Sequence, residues 1–300
     1  MFSKALRQVE RFTRPVIIST KLYSGKVESV CGAFIILNSE GWVLTANHII
    51  EPLLIYQKHL QEIAQYEKAR EQLNSNISLS PARKKKEIAK FGPNPKWITN
   101  ISYWWSKDGV NGEEIKCDAL RDIAVARLKP FDPLAVRSFP IFWNPSDTLP
   151  TGKSLCRLGF PFPSVEASFD FTKNHFTIAP DSFQIPLFPF EGMHTRVKIV
   201  ETQDSSKSAM FIEVSTPGLR GQSGGPVFDV EGRVCGIQSH TSSLPLGFTP
   251  EIEHGGHKTV ENQFINVGFA SHVKEILDFL RDNKIKVTVS PRFVEGPVAL

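Results

Sequence analysis

A glycine-rich stretch in the last third of the chain, Gly221–Pro226, constrains the fold more than any other segment. Its letters are Gly-Gln-Ser-Gly-Gly-Pro, so Ser223 has a glycine two residues before it and two glycines directly after it. The preceding glycine lets the backbone turn until its own N–H and that of Ser223 point at one spot. Such a loop can present a serine nucleophile if a base takes its proton and donors hold the resulting oxyanion. A plain glycine-rich β-turn is the alternative.

The residues after the serine decide between two kinds of nucleophile loop. In the nucleophile elbow of α/β-hydrolases a helix follows the serine immediately. Here Pro226–Val234 follows, and its proline, its β-branched residues and its Asp-x-Glu-Gly turn predict a β-hairpin. The rest of the chain, from Gly224 to Leu300, shows no alternation of strands and helices. The elbow interpretation is therefore excluded.

Two upstream segments supply the remaining groups that a serine nucleophile needs. Gly41–His48 is predicted as a turn and a strand that ends in a histidine, and Asp122–Leu128 as an acidic residue that opens an apolar strand. A pKa near neutrality suits histidine as the base. The order along the chain is His48, Asp122, Ser223, whereas α/β-hydrolases run serine, acid, histidine.

Taken together, these three segments resemble the trypsin-like serine proteases, and most closely their HtrA-like bacterial branch. Four shorter segments carry the same resemblance, namely Gly32–Ile36, Leu158–Pro161, Gly232–Ile237 and Val267–Ala270. The resemblance covers about residues 13–283, with gaps over two long insertions. It implies an all-β fold of two six-stranded antiparallel β-barrels, and 300 residues hold one such unit plus insertions.

The resemblance also implies a role for each catalytic group. His48 would take the Ser223 proton and return it to the leaving amine, while Asp122 would hold the imidazole tautomer. The backbone N–H groups of Gly221 and Ser223 would form the oxyanion hole. Asp118 is an alternative acid, but the apolar alternation begins directly after Asp122, which favours Asp122.

The substrate pocket that the resemblance implies contains no acidic side chain. Its residues would be Pro217, Ser239, His240, Thr241 and Val267. Because a buried unpaired charge is costly, we expect small or medium apolar residues, and not lysine or arginine, at the cleaved bond. His240 could instead favour an acidic substrate residue, or point outward.

Gln222 bears on how such an enzyme would be controlled. Digestive trypsin-like enzymes carry an aspartate there, which pairs with a new N-terminal ammonium group after cleavage of the zymogen. Glutamine cannot form that ion pair, so we expect no activation by N-terminal clipping. Loops, a partner or assembly are the remaining means of control.

Two segments interrupt the strand pattern. At about residues 51–95, apolar residues at helical spacing with interleaved lysine and glutamate predict a helical insertion in the first barrel. It is either a solvated hairpin or an arm that docks a partner or substrate. Phe160–Phe190 contains eight phenylalanines among prolines, and we expect residues 161–195 either to pack over the substrate cleft or to contact another chain.

These features divide the chain into three parts. Residues 1–140 form the first barrel with His48 and Asp122, and residues 141–270 form the second barrel with Ser223. Residues 271–300 form an amphipathic helix and a tail, too short for the PDZ domain that many HtrA relatives carry.

Composition narrows the partners and the compartment. A net charge of +4 is too weak to indicate a nucleic-acid or membrane partner. The four cysteines have no CxxC spacing and form no metal set, so we expect no metal or cofactor. The first fifteen residues lack the apolar core of a secretory signal, and the residue after His48 is not the cysteine that braces it in secreted relatives. We therefore expect a cytoplasmic protein with reduced thiols.

The leading hypothesis is a cytoplasmic serine endopeptidase that acts on protein or peptide substrates through an acyl-enzyme. We expect control by its loops, a regulatory protein or a second copy of the chain, and a defence-associated role is a further hypothesis. The alternative is a catalytically silent trypsin-like module that serves as a protein-binding scaffold. The complete set of His48, Asp122 and Ser223 argues against it.

Overall fold

A computed structural model describes residues 1–90, 92–203, 205–249 and 262–292 in full, and 251–254 and 257–260 as backbone. The helices are α1 (Ser3–Val9), α2 (Asn47–Ser75), α3 (Pro81–Lys90) and α4 (Val273–Asp282). The first six strands are β1 (Thr13–Leu22), β2 (Val27–Ile36), β3 (Trp42–Thr45), β4 (Ile98–Trp105), β5 (Asn111–Asp118) and β6 (Ile123–Lys129).

The strands of the second half are shorter and more numerous. They are β7 (Ile141–Phe142), β8 (Ser154–Gly159), β9 (Ala167–Asp170), β10 (His175–Ile178), β11 (Phe188–Glu201), β12 (Ser208–Val214), β13 (Pro226–Phe228), β14 (Val234–Pro245), β15 (Glu251–His254), β16 (His257–Val260), β17 (Phe264–His272) and β18 (Thr288–Val289). Two single turns of 3-10 helix lie at Pro133–Ala135 and Pro180–Phe183.

Each half of the chain forms a six-stranded antiparallel sheet, as the sequence predicts. The first has the order β4-β1-β2-β3-β6-β5. The second runs β13-β8-β11-β12-β17-β14 and closes on itself because β13 also pairs with β14. The two-residue strand β7 pairs with β14 in parallel, and the two-residue strand β18 pairs in parallel with β7. The predicted all-β fold of two barrels with a helical insertion is confirmed.

One apolar core joins the two sheets. It contains Phe34, Leu44 and Val125 of the first sheet together with Phe228 and Ile237 of the second, all fully buried. The apolar stripe of α4 packs into the same core, as its spacing predicts. Because both sheets share this core, the loops that meet between them are held in a fixed relation.

The helical insertion consists of α2 and α3, but α2 begins earlier than predicted. His48 lies in the first turn of this helix and not at the end of a strand, so that prediction is wrong. The helix starts here because the carboxylate of Asp122 accepts the otherwise unpaired backbone N–H of His48, at 3.0 Å. A negative group at a helix N-terminus also stabilises the helix dipole.

The phenylalanine-rich segment packs on the first sheet. Strands β9 and β10 form a hairpin, and Phe160, Phe176 and Phe183 surround a small cluster that includes Cys31 and Trp104. Phe162 and Phe171 remain largely exposed. None of the helices in the described residues combines the length and the apolar character needed to cross a membrane.

Candidate active site

The pairing of two strands brings His48 and Asp122 together. β3 and β6 are antiparallel neighbours, with Thr45 opposite Ala124. The first turn of α2, which begins two residues after β3 ends, therefore lies close to Asp122, the residue that precedes β6. His48 Nδ1 lies 3.0 Å from one carboxylate oxygen of Asp122 and 3.1 Å from the other.

The Asp122 backbone adopts a left-handed conformation, with φ of +52°, which aspartate tolerates better than most residues. Ser271 Oγ donates to the carbonyl of Arg121 at 2.7 Å and helps to hold this turn. Ser239 Oγ donates to the Asp122 carboxylate. Ser239 and the first turn of α2 therefore fix the carboxylate, and Ser271 fixes the turn that carries it.

The acid and the base stabilise each other's charged forms. Burial tends to raise the pKa of Asp122, but hydrogen bonds from His48 and Ser239 and the charge of His48 outweigh it, so this pKa lies below its ordinary value. Burial tends to lower the pKa of His48, but the hydrogen bond and charge of Asp122, with a smaller contribution from Glu51, leave it raised. The arrangement favours an imidazole that can accept a proton.

The alternative acid has a different partner. Asp118 accepts from the backbone N–H of Arg121 and from its guanidinium, each at 3.0 Å. Arg121 in turn donates to Glu275 of α4 at 2.6 Å. The structure thus places Asp122, and not Asp118, beside His48.

The loop that carries Ser223 is seated on β2 and β3. The carbonyl of Ser223 accepts from the backbone N–H of Ala33 at 2.8 Å. Gly224 fits because it has no side chain: a Cβ there would lie 2.2 Å from Thr45 Oγ1. Ser223 and His48 line one groove of about 430 Å³. No hydrogen bond joins their side chains among the described residues.

The backbone donors beside Ser223 are available for a ligand. Gly221 has φ of +95°, and neither its N–H nor that of Ser223 is paired within the described part of the chain. The loop is held by Gln222, whose side chain accepts from Leu219 N–H at 3.0 Å and donates to the Phe188 carbonyl at 3.3 Å. The neutral side chain of Gln222, and not an aspartate, therefore fixes the loop.

Two walls of the predicted substrate pocket, one at Gly218 and one at Thr241, are joined by hydrogen bonds. Thr241 Oγ1 accepts from the N–H of Gly218 at 2.9 Å and donates to its carbonyl at 2.8 Å. The buried amide of Gln238 lies against the same glycine, where a Cβ would be 2.2 Å from its nitrogen. Little room is left between the two walls.

The other three predicted pocket residues have identifiable partners. Ser239 contacts the carboxylate of Asp122, as described above. The ring of His240 stacks on Phe269 with a centroid distance of 4.9 Å. Val267 packs with Phe211 and Phe269, the same ring on which His240 stacks.

Sequence reasoning missed a buried cation beneath Pro217. The guanidinium of Arg157, fully buried, donates to the carbonyls of Pro217 and Thr216 and to Thr216 Oγ1. It forms no ion pair with any carboxylate of the described residues. Burial lowers the pKa of Arg157 to about 10. The sequence does indicate a buried cation here, since Arg157 is the one charged residue in the otherwise apolar run Leu155–Leu158.

No group of histidine, cysteine or acidic residues within the described ranges is arranged to hold a metal ion. The four cysteines are unpaired, three of them buried and Cys117 exposed.

No curated protein matches the sequence at a significant level. Among solved structures, the active form of the Rv3671c protease from M. tuberculosis is 11% identical, with a TM-score of 0.48, over 95% of this chain and 86% of that one. The HtrA-type protease AlgW with a tripeptide is 16% identical, with a TM-score of 0.45, over 94% of this chain and 63% of that one.

The family comparison covers more than half of the sequence. The model of the family described as "Trypsin-like peptidase domain" matches residues 32–237, a range that includes His48, Asp122 and Ser223. This chain belongs to the trypsin-like peptidases, a family of serine proteases.

Proposed function

We propose that this protein is a serine endopeptidase in which Ser223, His48 and Asp122 form the catalytic triad. One observation carries the proposal: His48, which contacts Asp122, lines a single groove together with Gly221 and Ser223, whose N–H groups are unpaired within the described residues. A base, an oriented acid and an oxyanion site are the three things that a serine nucleophile needs.

In this mechanism Ser223 Oγ attacks the carbonyl carbon of the cleaved bond and its proton passes to His48 Nε2. The Gly221 and Ser223 N–H groups hold the oxyanion of the tetrahedral intermediate. Collapse of the intermediate breaks the C–N bond, and His48 gives its proton to the leaving amine. Water, with His48 again as base, then hydrolyses the ester to Ser223 and releases the second product.

The finer features of the enzyme are also proposals. We assign it to the HtrA-like bacterial branch on the phrases of its sequence, and to the reducing cytoplasm on its unpaired cysteines. Control by a loop, a regulatory protein or a second copy is supported by Pro163 of the phenylalanine-rich segment, which lines the groove of Ser223. The defence-associated role rests on the two insertions alone.

The test of the catalytic assignment is reaction with a fluorophosphonate probe, which labels serine hydroxyls activated by a base. We expect labelling of the wild-type protein at Ser223, located by mass spectrometry of the labelled peptide. A folded protein that stays unlabelled, and cleaves no member of a diverse peptide library, would support the silent scaffold instead.

The cleaved residue is predicted to be small and uncharged. Arg157 places a positive charge beneath Pro217, and the Thr241–Gly218 contact narrows the mouth of the pocket. A lysine substrate side chain would meet a second cation in a buried site, which is unfavourable. We expect kcat/KM for lysine to be at least about tenfold below that for norleucine, its uncharged analogue of similar length. A library profile dominated by lysine and arginine would contradict this prediction.

The pH dependence of activity should follow the raised pKa of His48. The base must be neutral to accept a proton, so kcat/KM should rise with pH through a midpoint above the ordinary histidine value of 6.5. Glu51→Gln removes one anion that stabilises the imidazolium, and should move this midpoint to lower pH. Glu67→Gln, an exposed position farther along the same helix, is the matched control and should leave it unmoved. Identical profiles for the wild type and Glu51→Gln would exclude the electrostatic role of Glu51.

A further inference from the structure

The groove that contains His48 and Ser223 does not end at these residues. Its apolar residues Ile18, Val30 and Pro52 also line a second groove of about 620 Å³. The second groove continues between the β1–β2 hairpin and helix α2 and reaches Ile98 at the start of β4. The two grooves therefore form one continuous channel that leads away from the candidate active site.

One wall of this channel is the helical insertion. Pro52, Ile55 and His59 lie three and four residues apart and so share one face of α2. The wall is held against β4 by two hydrogen bonds: His59 Nδ1 accepts from Ile98 N–H at 2.9 Å, and Glu62 accepts from the Trp97 indole at 2.7 Å. A helix fixed at this position presents a defined surface.

The channel is apolar and open to solvent. Val30 is 57% exposed and Ile55 38% exposed, although both are large apolar residues. At its far end Lys26 and Glu28 form an ion pair at 2.6 Å, and Lys96 is the other charged residue of the lining. Exposed apolar surface that is continuous with a functional groove indicates a contact site, and the apolar residues along the channel favour an apolar occupant.

The chemistry of His48 determines which part of a substrate would lie there. His48 returns its proton to the leaving amine, so the chain on the C-terminal side of the cleaved bond departs past His48. From this residue the channel follows α2 toward His59. The helix rises by about 16 Å over these eleven residues at ~1.5 Å each, and an extended peptide covers that distance in about five residues at ~3.3 Å each.

We propose that this channel binds an extended apolar segment of the protein substrate, within about five residues on the C-terminal side of the cleaved bond. The helical insertion is then a substrate-binding element. The inference rests on the proposed function for its direction, because the departing chain is defined by the cleavage reaction.

Three peptides test it, all identical up to the second residue after the cleaved bond. One ends there, one continues with valine and leucine residues, and one continues with serine and glycine. We expect kcat/KM for the apolar extension to exceed that for the polar one at least about tenfold. Ile55→Asp and, on the opposite wall, Val30→Asp should each bring this ratio close to one. Ile77→Asp, 99% exposed in the turn between α2 and α3, is the matched control and should preserve the ratio.

A binding measurement separates this inference from the catalytic proposal. Ser223→Ala protein, titrated by fluorescence anisotropy, should bind the apolar extension at least about tenfold more tightly than the polar one. If this preference appears and is lost with Ile55→Asp while the wild type neither labels nor cleaves, the channel stands and the proposed activity fails. Equal binding of both extensions, or a ratio unchanged by Ile55→Asp and Val30→Asp, overturns the channel proposal.

Discussion

Ser223→Ala and His48→Ala are each expected to lower kcat for peptide cleavage by at least about ten-thousandfold. The first removes the proposed nucleophile, which lines one groove with His48 and Gly221. The second leaves the serine hydroxyl without an acceptor for its proton. The measurement is single-turnover cleavage of a fluorogenic peptide that has a small apolar residue at the cleaved bond.

The controls for these variants address folding and additivity. Ser146→Ala replaces an exposed serine outside the groove and should retain wild-type kcat. In the proposed mechanism Ser223 and His48 act as one unit, so the double variant should be no slower than either single variant. A double variant that cleaves at the wild-type rate would exclude the triad mechanism. Thermal unfolding of each protein separates loss of chemistry from loss of structure.

The fold could be predicted because the three motifs, in the order His48, Asp122 and Ser223, resemble those of the trypsin-like serine proteases. The antiparallel pairing of β3 and β6, which places His48 and Asp122 together, is seen only in the structure. The strands beside these two residues could be predicted because apolar runs are local signals. The hairpin after Ser223 is visible in the sequence for the same reason, since turn residues and β-branched residues are local signals.

The features that the sequence did not predict depend on long-range contacts. Helix α2 starts at Asn47 because the N–H of His48 donates to Asp122, which lies 74 residues after His48. No local capping residue indicates that start. The two-residue strands β7 and β18 are too short for any periodicity to be seen. The position of Arg157 beneath Pro217 depends on the pairing of β8 with two other strands, so its contribution to the pocket could be recognised only from the structure.

Gly221→Ala is expected to lower kcat by about 100- to 1000-fold, the usual effect of losing one oxyanion donor. A Cβ at this position would lie 2.2 Å from the carbonyl oxygen of Phe160, a distance that no carbon and oxygen atoms can keep without displacement. Phe160 N–H also donates to the Gly221 carbonyl at 2.9 Å, so the two segments cannot separate without breaking this bond. The loop must therefore rotate, and the Gly221 N–H turns away from the oxyanion.

The matched control for this variant is Gly152→Ala. Gly152 has a similar left-handed backbone, with φ of +86°, but a Cβ there would meet no atom within 4 Å. Both variants incur the cost of placing alanine in this conformation, on the order of 1 kcal/mol, while only Gly221→Ala also forces the backbone against Phe160. We therefore expect both proteins to unfold at lower temperature than the wild type, Gly221→Ala the more so, and Gly152→Ala alone to keep wild-type kcat. Equal activity of the two variants would show that the Gly221 N–H does not hold the oxyanion, and the catalytic donors would have to be sought elsewhere in the loop.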